Sequence, residues 1–287
     1  HVRNEDYWRE TANFDAIELT AITDPQARVN ALIAGDMHMI SDVDAKMIKL
    51  IERSDGVSIN STKSGRYGGV CILKNTAPGN NPDFVKGMQL IQDRERIVRS
   101  ILKGKGEVGN DHPISTAYGA DHCYELPQRQ YDPEKAIEHL KLAGFTKKNE
   151  EGILINNEGK TLSFVITTQN YLNYMVTPVQ NMLKQYGIDM QIVNMDANTE
   201  YKNQNERNFT INLHTYTGSV HPSIELWFRS DLADLNDNNN YFGFKNERVD
   251  QLIIDYKTEF DLKKRIQIGK EIDKIVAEIH PVSYGIK

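Results

Sequence analysis

The stretch Asp132-Pro133-Glu134-Lys135-Ala136-Ile137-Glu138-His139-Leu140-Lys141-Leu142-Ala143-Gly144-Phe145 carries its own start and stop signals. Asp132 can accept the free N–H groups of a first helical turn, and Pro133 suits the first helical position because its missing N–H has no partner there anyway. Ala136, Ile137, Leu140 and Ala143 fall on one face at helical spacing. Gly144 supplies the left-handed residue that ends such a helix. The same device recurs at Asp24-Pro25, with Val29, Leu32 and Ile33 as the apolar face and Gly35 as the stop.

Working outward from these two helices, the chain alternates between periods. Ile17–Ile22, Val57–Thr62 and Tyr67–Leu73 read as strands, the last two joined by a Lys-Ser-Gly turn. Gly68-Gly69 within the third marks a bulge or a close backbone approach. Val43–Ile51 predicts a short helix and Asp83–Leu102 a longer one. Glu107–Tyr131 is irregular. Ile153–Ile155 and Leu162–Ile166 predict a hairpin over Asn156-Asn157-Glu158-Gly159. A helix over Val176–Tyr186 stops at Gly187, and alternating strands follow around Ile188, Met190, Ile192 and Phe209, Ile211, Leu213. The last third is helical, with stripes Val249, Leu252, Ile253, Tyr256 and Ile268, Ile272, Ile275, Val276, Ile279, stopped by Pro281. The Asn-rich segments 75–81 and 236–240 are loops. Strands and helices mixed throughout predict an α/β or mixed α+β fold.

At 39% hydrophobic and 26% charged residues the 287-residue chain can build a sizeable core. Its 34 basic and 40 acidic residues are interspersed, giving a net charge of -6, which argues against nucleic acid and anionic membranes as partners. No apolar run reaches the ~20 residues of a membrane helix. Cys71 and Cys123 lack CxxC spacing, so zinc is disfavoured; two buried thiols are the simpler reading, and a disulfide stays open. The chain opens on His1 inside a patterned segment, which suggests a processed protein or an excised piece.

Enzyme signatures are absent: no GxSxG, no GxxxxGK[ST], no GxGxxG after a strand, no HExxH. Asp111-His112 and Asp121-His122 share one polar loop, where solvation is a simpler reading than a metal site. His139 sits on an amphipathic helix as a surface or boundary residue. The segment Asn212–Trp227 is richer. With Leu213 inward, period two puts Asn212, His214 and Tyr216 on the other face, and the strand runs into Gly218-Ser219 and then His221-Pro222. Aromatic and hydrogen-bonding groups at such a handover suit a small polar ligand. An ordinary strand end is the competing reading. A hydrolase using His214 or His221 as a base lacks a nucleophile or paired carboxylate at supporting spacing. No cofactor is called for.

Several segments together resemble family 5 of the bacterial extracellular solute-binding proteins. Arg3-Asn4-Glu5-Asp6-Tyr7-Trp8 resembles its RNPdYW segment; Asp24 through Arg28, Ala31, Gly35 and Asp36 resemble the next. Leu73 to Pro78, Asp83 to Arg94, Gly104 with Gly106, Tyr131 through Phe145, Gly187-Ile188, and Asp250 through Arg265 follow in family order. Lys86 and Gln92 depart from that family's usual arginine and alanine.

The resemblance implies a periplasmic-binding-protein type II-like lobe, a mixed sheet flanked by helices. It implies that residues 1–287 form a single domain, the second lobe of a two-lobe receptor whose first lobe is absent. The implied function is the substrate-binding component of an ABC importer, monomeric, partnered by permease subunits, and periplasmic or extracellular as a membrane-anchored lipoprotein. The implied ligand residues are Asn212, His214, Tyr216, Gly218, Ser219 and His221. Dipeptide receptors of the family carry an aspartate where Gly218 and Ser219 stand, and it pairs with the ligand's α-amino group. No acid lies between Asn212 and Ser223. Burying that cation unpaired would cost several kcal/mol. A modified peptide, an opine-like conjugate or a metal chelate thus stands beside an ordinary peptide, with His214 and His221 suited to the chelate.

Overall fold

The computed structural model describes residues 1–41, 43–61, 66–72, 76–101, 108, 130–169, 172–217, 225–279 and 283–286, with backbone alone at 66–72, 101, 174, 214–217, 277–279 and 283–286. The chain divides into two compact units, His1–Thr62 and Lys63–Lys287.

In the first unit, helix α1 (Pro25–Ala34) begins and ends as its sequence predicts. The Asp24 carboxylate accepts from Ala27 N at 2.7 Å, and Gly35 closes the helix at φ 83°. Helix α2 (Ile48–Glu52) is shorter than expected, because Asp44–Met47 forms a turn ahead of it. The expected strand Ile17–Ile22 does not form. Ile17 exchanges backbone hydrogen bonds with His1, Val2 and Ala16 make one bridge, and residues 18–22 pair with no strand among the described residues. An alternating pattern without a partner strand buries neither face. Residues 57–61 of the second expected strand carry no ladder either, and Thr62 with the turn after it lies outside the described residues.

The second unit is built on a five-stranded mixed sheet. Its strands are β1 (Arg66–Ile72), β4 (Ser163–Gln169), β5 (Asp189–Met195), β6 (Ile211–Thr217) and β7 (Ser283–Ile286), in the order β5-β4-β6-β1-β7. β4 runs parallel to both β5 and β6, while β1 is antiparallel to β6 and β7. The register between β1 and β7 shifts at Gly68/Gly69, the irregularity that the glycine pair predicts. β2 (Phe145–Lys148) and β3 (Leu154–Asn156) form a separate antiparallel pair.

That pair corrects the expected hairpin. The Asn156 side chain does accept from the backbone N–H groups of Glu158 (3.0 Å) and Lys160 (2.8 Å), so the turn is present. Only Ile155 and Thr161 bridge across it, however. β4 then leaves for the large sheet, where Phe164 and Ile166 are buried. The expected helix 83–102 also splits, into α3 (Pro82–Leu90) and α4 (Arg94–Ile101). Asp93 accepts from Arg96 N at 2.9 Å and caps a new helix instead of continuing the old one.

Helices α5 (Pro133–Leu142) and α6 (Asn173–Gln185) pack with α3 against the sheet, and the core runs through Phe84, Ile91, Leu140, Leu162, Ile166, Leu183 and Ile211. His139 is half-buried, its Nδ1 2.8 Å from Asp83 Oδ1, so it ties α5 to α3. Helices α7 (Ala197–Asn205), α8 (Glu225–Phe228), α9 (Glu247–Thr258) and α10 (Leu262–Ile279) complete the unit. α9 and α10 bury their predicted stripes, Val249, Leu252 and Ile253 facing Ile272 and Val276, over a second core rich in phenylalanine. Among the described residues no helix is long and apolar enough to cross a membrane. Cys71 falls within β1; Cys123, Pro281 and most of the 107–131 stretch, with His112 and His122, lie outside the described residues.

Candidate functional site

Because β4, β5 and β6 are parallel, their carboxyl ends, Gln169, Met195 and Thr217, lie along one edge of the sheet. In α/β sheets this edge is where loops open and ligands are held. Two groups of polar side chains stand there, one buried and one open.

The buried group centres on Asn212. β6 is flanked on both sides, so Ile211 and Leu213 face the main core while Asn212 faces α7. Asn212 is fully buried: Oδ1 accepts from Gln204 Nε2 at 2.8 Å, and Nδ2 donates to Thr167 Oγ1 at 3.0 Å and to Glu200 Oε1 at 3.2 Å. Glu200 is 3% exposed, and burial raises its carboxyl above the usual carboxylate range, opposed by hydrogen bonds from Gln169 and Asn212. The next residue along β4 contributes Thr168, whose hydroxyl oxygen is buried and without a hydrogen-bond partner among the described residues.

The open group lines a groove of about 590 Å³ that starts at Gln169 and follows α7. Asn198, Tyr201, Lys202, Asn205 and Glu206 form one wall, and Asn236 with Asp237 the other. α7 exists because Asp196 caps it, accepting from Asn198 N and Thr199 N at 3.0 Å each. The hydrogen bond from the Thr199 hydroxyl, with those two backbone bonds, holds the Asp196 carboxyl below the usual carboxylate range. The second wall is held by Arg207, which sits at φ 57° just beyond α7. Its guanidinium donates to the backbone carbonyls of Ala233, Leu232 (3.2 Å), Leu235 (2.7 Å) and Asn240 (3.1 Å). Burial lowers its pKa. Asn240 is itself buried, donating to Arg229 O and Phe244 O at 2.8 and 2.9 Å.

The residues singled out from sequence fall as follows. Asn212 lies at this edge but its side chain is spent on β4 and α7. His214 and Tyr216 are on the same strand, opposite Gly69 and Tyr67 of β1. Gly218, Ser219 and His221 lie outside the described residues. Sequence reasoning missed Glu200, Gln204, Gln169 and Arg207; the Asp196 cap was the one local signal for the helix that carries the first two. Among the described residues no group of three or more His, Cys, Asp or Glu side chains could hold a metal ion.

The mixed sheet flanked by helices is that of periplasmic-binding-protein type II lobes. Superposition on the oligopeptide-binding protein AppA from Bacillus subtilis, in complex with a nonapeptide, gives a TM-score of 0.81 at 25% identity, covering 92% of this chain and 53% of that one. The chain belongs to family 5 of the bacterial extracellular solute-binding proteins: the model of "Bacterial extracellular solute-binding proteins, family 5 Middle" matches residues 1–231. In sequence, oligopeptide-binding protein AppA of Bacillus subtilis (strain 168) is 27% identical over 288 residues, 98% of this chain and 52% of the relative. The nickel-binding periplasmic protein of Escherichia coli (strain K12) is 25% identical over 233 residues, 76% of this chain and 42% of the relative. The chain thus spans about half the length of the curated relatives it matches.

Proposed function

We propose that this chain is one half of the substrate-binding component of an ABC importer. It captures a peptide or peptide-like small solute when two lobes close around it, and the loaded receptor delivers the solute to a membrane permease. The observation that carries this reading is the family match over residues 1–231, together with the polar carboxyl edge of β4, β5 and β6 in the matched region. On this reading the sheet-bearing unit is the second lobe, and the loop following β6, with Gly218, Ser219 and His221, supplies ligand contacts alongside His214 and Tyr216. Asn212 then acts from behind, fixing β6 against β4. The receptor works as a monomer in the periplasm, or outside the cell on a lipid anchor, and it performs no chemistry.

A metal chelate or an opine-like conjugate is the second reading. It is favoured by the absence of an acid between Asn212 and Ser223 and by the nickel-binding relative. Native mass spectrometry of the full-length receptor from its host separates the two: a retained peptide mass supports the first, a metal-bearing adduct the second. Turnover of a peptide or ester library, abolished by His221→Ala, would overturn both. Calorimetry adds a check on the half-site picture. This chain alone binds candidate ligands weakly, and tight binding would sink it.

A further inference from the structure

We infer that the groove beside α7 holds a neutral, polyhydroxylated part of the ligand, a sugar or polyol carried by a peptide or amino acid. On the solute-receptor reading, on which this depends, the ligand narrows to a sugar conjugate.

The groove has the size of a small-molecule site, about 590 Å³, and both of its walls are pre-built. Asp196 caps the helix that forms one, and Arg207 gathers the loop that forms the other. Asn198, Tyr201 and Asn205 follow one another on α7 at i, i+3 and i+7, so they share one face. The aromatic ring thus stands about one helical turn (~5.4 Å) from a carboxamide on either side. Asn236 adds a third carboxamide from the other wall. None of these three carboxamides hydrogen-bonds another described residue. Gln169 is engaged, and so oriented: it donates to the buried Glu200 carboxylate, which leaves it a second N–H and its carbonyl oxygen.

This set matches a sugar better than a charged group. A carboxamide donates and accepts at once, as a hydroxyl does, whereas an ammonium needs acceptors alone. Tyr201 is 62% exposed and offers a ring face to the C–H face of a pyranose. The lining cation, Lys202, pairs with Glu206 at 3.8 Å, and Asp237 adds another carboxylate, so a phosphate or carboxylate would meet repulsion. The strand-end loop supports a modified ligand for an independent reason, since no acid for a free amine lies between Asn212 and Ser223. The rival occupant is a cationic group held by Asp237.

The test is saturation-transfer NMR on the full-length receptor, freed of retained ligand by unfolding and refolding. The probes are maltose, cellobiose and N-acetylglucosamine, with ethylammonium chloride as the cationic rival. At least one sugar should bind, and Tyr201→Ala and Asn205→Ala should each weaken it by about fivefold, the worth of one contact of this kind. Tyr201→Phe, which keeps the ring, retains binding, and Phe260→Ala, at a residue 95% exposed and outside the groove, leaves it unchanged. The groove residues are at the surface, so melting midpoints should hold across the set. No response to any sugar, a sugar response indifferent to Tyr201→Ala and Asn205→Ala, or a response to ethylammonium alone that Asp237→Asn abolishes, each overturns the inference. Native mass spectrometry of the receptor from its host keeps the two readings apart: a retained unmodified peptide beside a silent groove leaves the receptor standing and the sugar seat overturned.

Discussion

The Arg207 guanidinium donates to the main-chain carbonyl of Asn240 at 3.1 Å, and through that and three neighbouring carbonyls it folds residues 232–240 around itself. Among the described residues no carboxylate hydrogen-bonds this guanidinium; the loop's own backbone accepts from it, and the Asp234 charge acts on it from within the same loop. Arg207→Ala would take the guanidinium donor from the Ala233 carbonyl, whereas Leu232 and Leu235 keep their bonds from Asn238 and Asn240 keeps its bond from Gly243; one partly buried carbonyl left without its donor costs about 1–3 kcal/mol where water cannot reach. The expected outcome is a loss of about 1–3 kcal/mol in denaturant unfolding, with new protease cleavage within 232–240. Arg207→Lys does not restore it, because one ammonium cannot span four carbonyls as the planar fork does.

Asn212 is the buried counterpart of that arrangement. Removing its side chain strips partners from Thr167, Glu200 and Gln204 at once. Asn212→Ala should cost about 2–4 kcal/mol, since each deserted polar group keeps its desolvation penalty. Chemical unfolding measures this. A neutral substitution would mean that the network is not formed.

How much of this was legible in the sequence depends on which signal a segment carries. α1 and α5 were readable end to end because Asp-Pro and Gly fix both termini locally. The stripes of α9 and α10 were readable because their cores are one-sided. α7 was not, because Ala-Asn-Thr-Glu-Tyr-Lys-Asn-Gln-Asn has no apolar face; it packs through the buried polar side chains of Glu200 and Gln204. The alternation around Leu213 was read correctly, yet period two cannot say whether the other face meets water or a helix, and for Asn212 it meets α7. Pairing is likewise nonlocal: nothing near Leu162 says that β4 will prefer β5 and β6 to the strand before it.

Two glycines should respond alike for different reasons. Gly187 sits at φ 84°, and a Cβ there would lie 2.5 Å from Gly152 O. Gly187→Ala is therefore strained twice and should cost about 2–4 kcal/mol. Gly87 lies within α3, where alanine ordinarily gains about 1 kcal/mol. A Cβ would meet Leu140 Cγ at 2.9 Å and Ala136 O at 3.0 Å, so α3 and α5 would have to part. Overpacking costs about 1–3 kcal/mol and outweighs the helix gain, so Gly87→Ala also lowers the melting midpoint, by less.

Glu200 gives the fold a pH signature. Burial raises its carboxyl above its ordinary 4.5, with Gln169 and Asn212 pulling the other way. The folded chain thus holds that proton more tightly than the unfolded chain does. The stabilisation is complete below the unfolded pKa and is lost as pH rises through the folded one. Glu200→Gln keeps an oxygen for the Asn212 amide but has nothing to ionise. Its stability relative to the unsubstituted chain should therefore rise as the pH climbs past the ordinary carboxyl value, read from paired denaturant titrations at each pH. All other residues are common to both proteins, so their contribution cancels in the difference. A difference that stays flat, or shrinks as pH rises, would mean that the carboxylate is stabilised in place and that the Asn212 and Gln169 hydrogen bonds outweigh its burial.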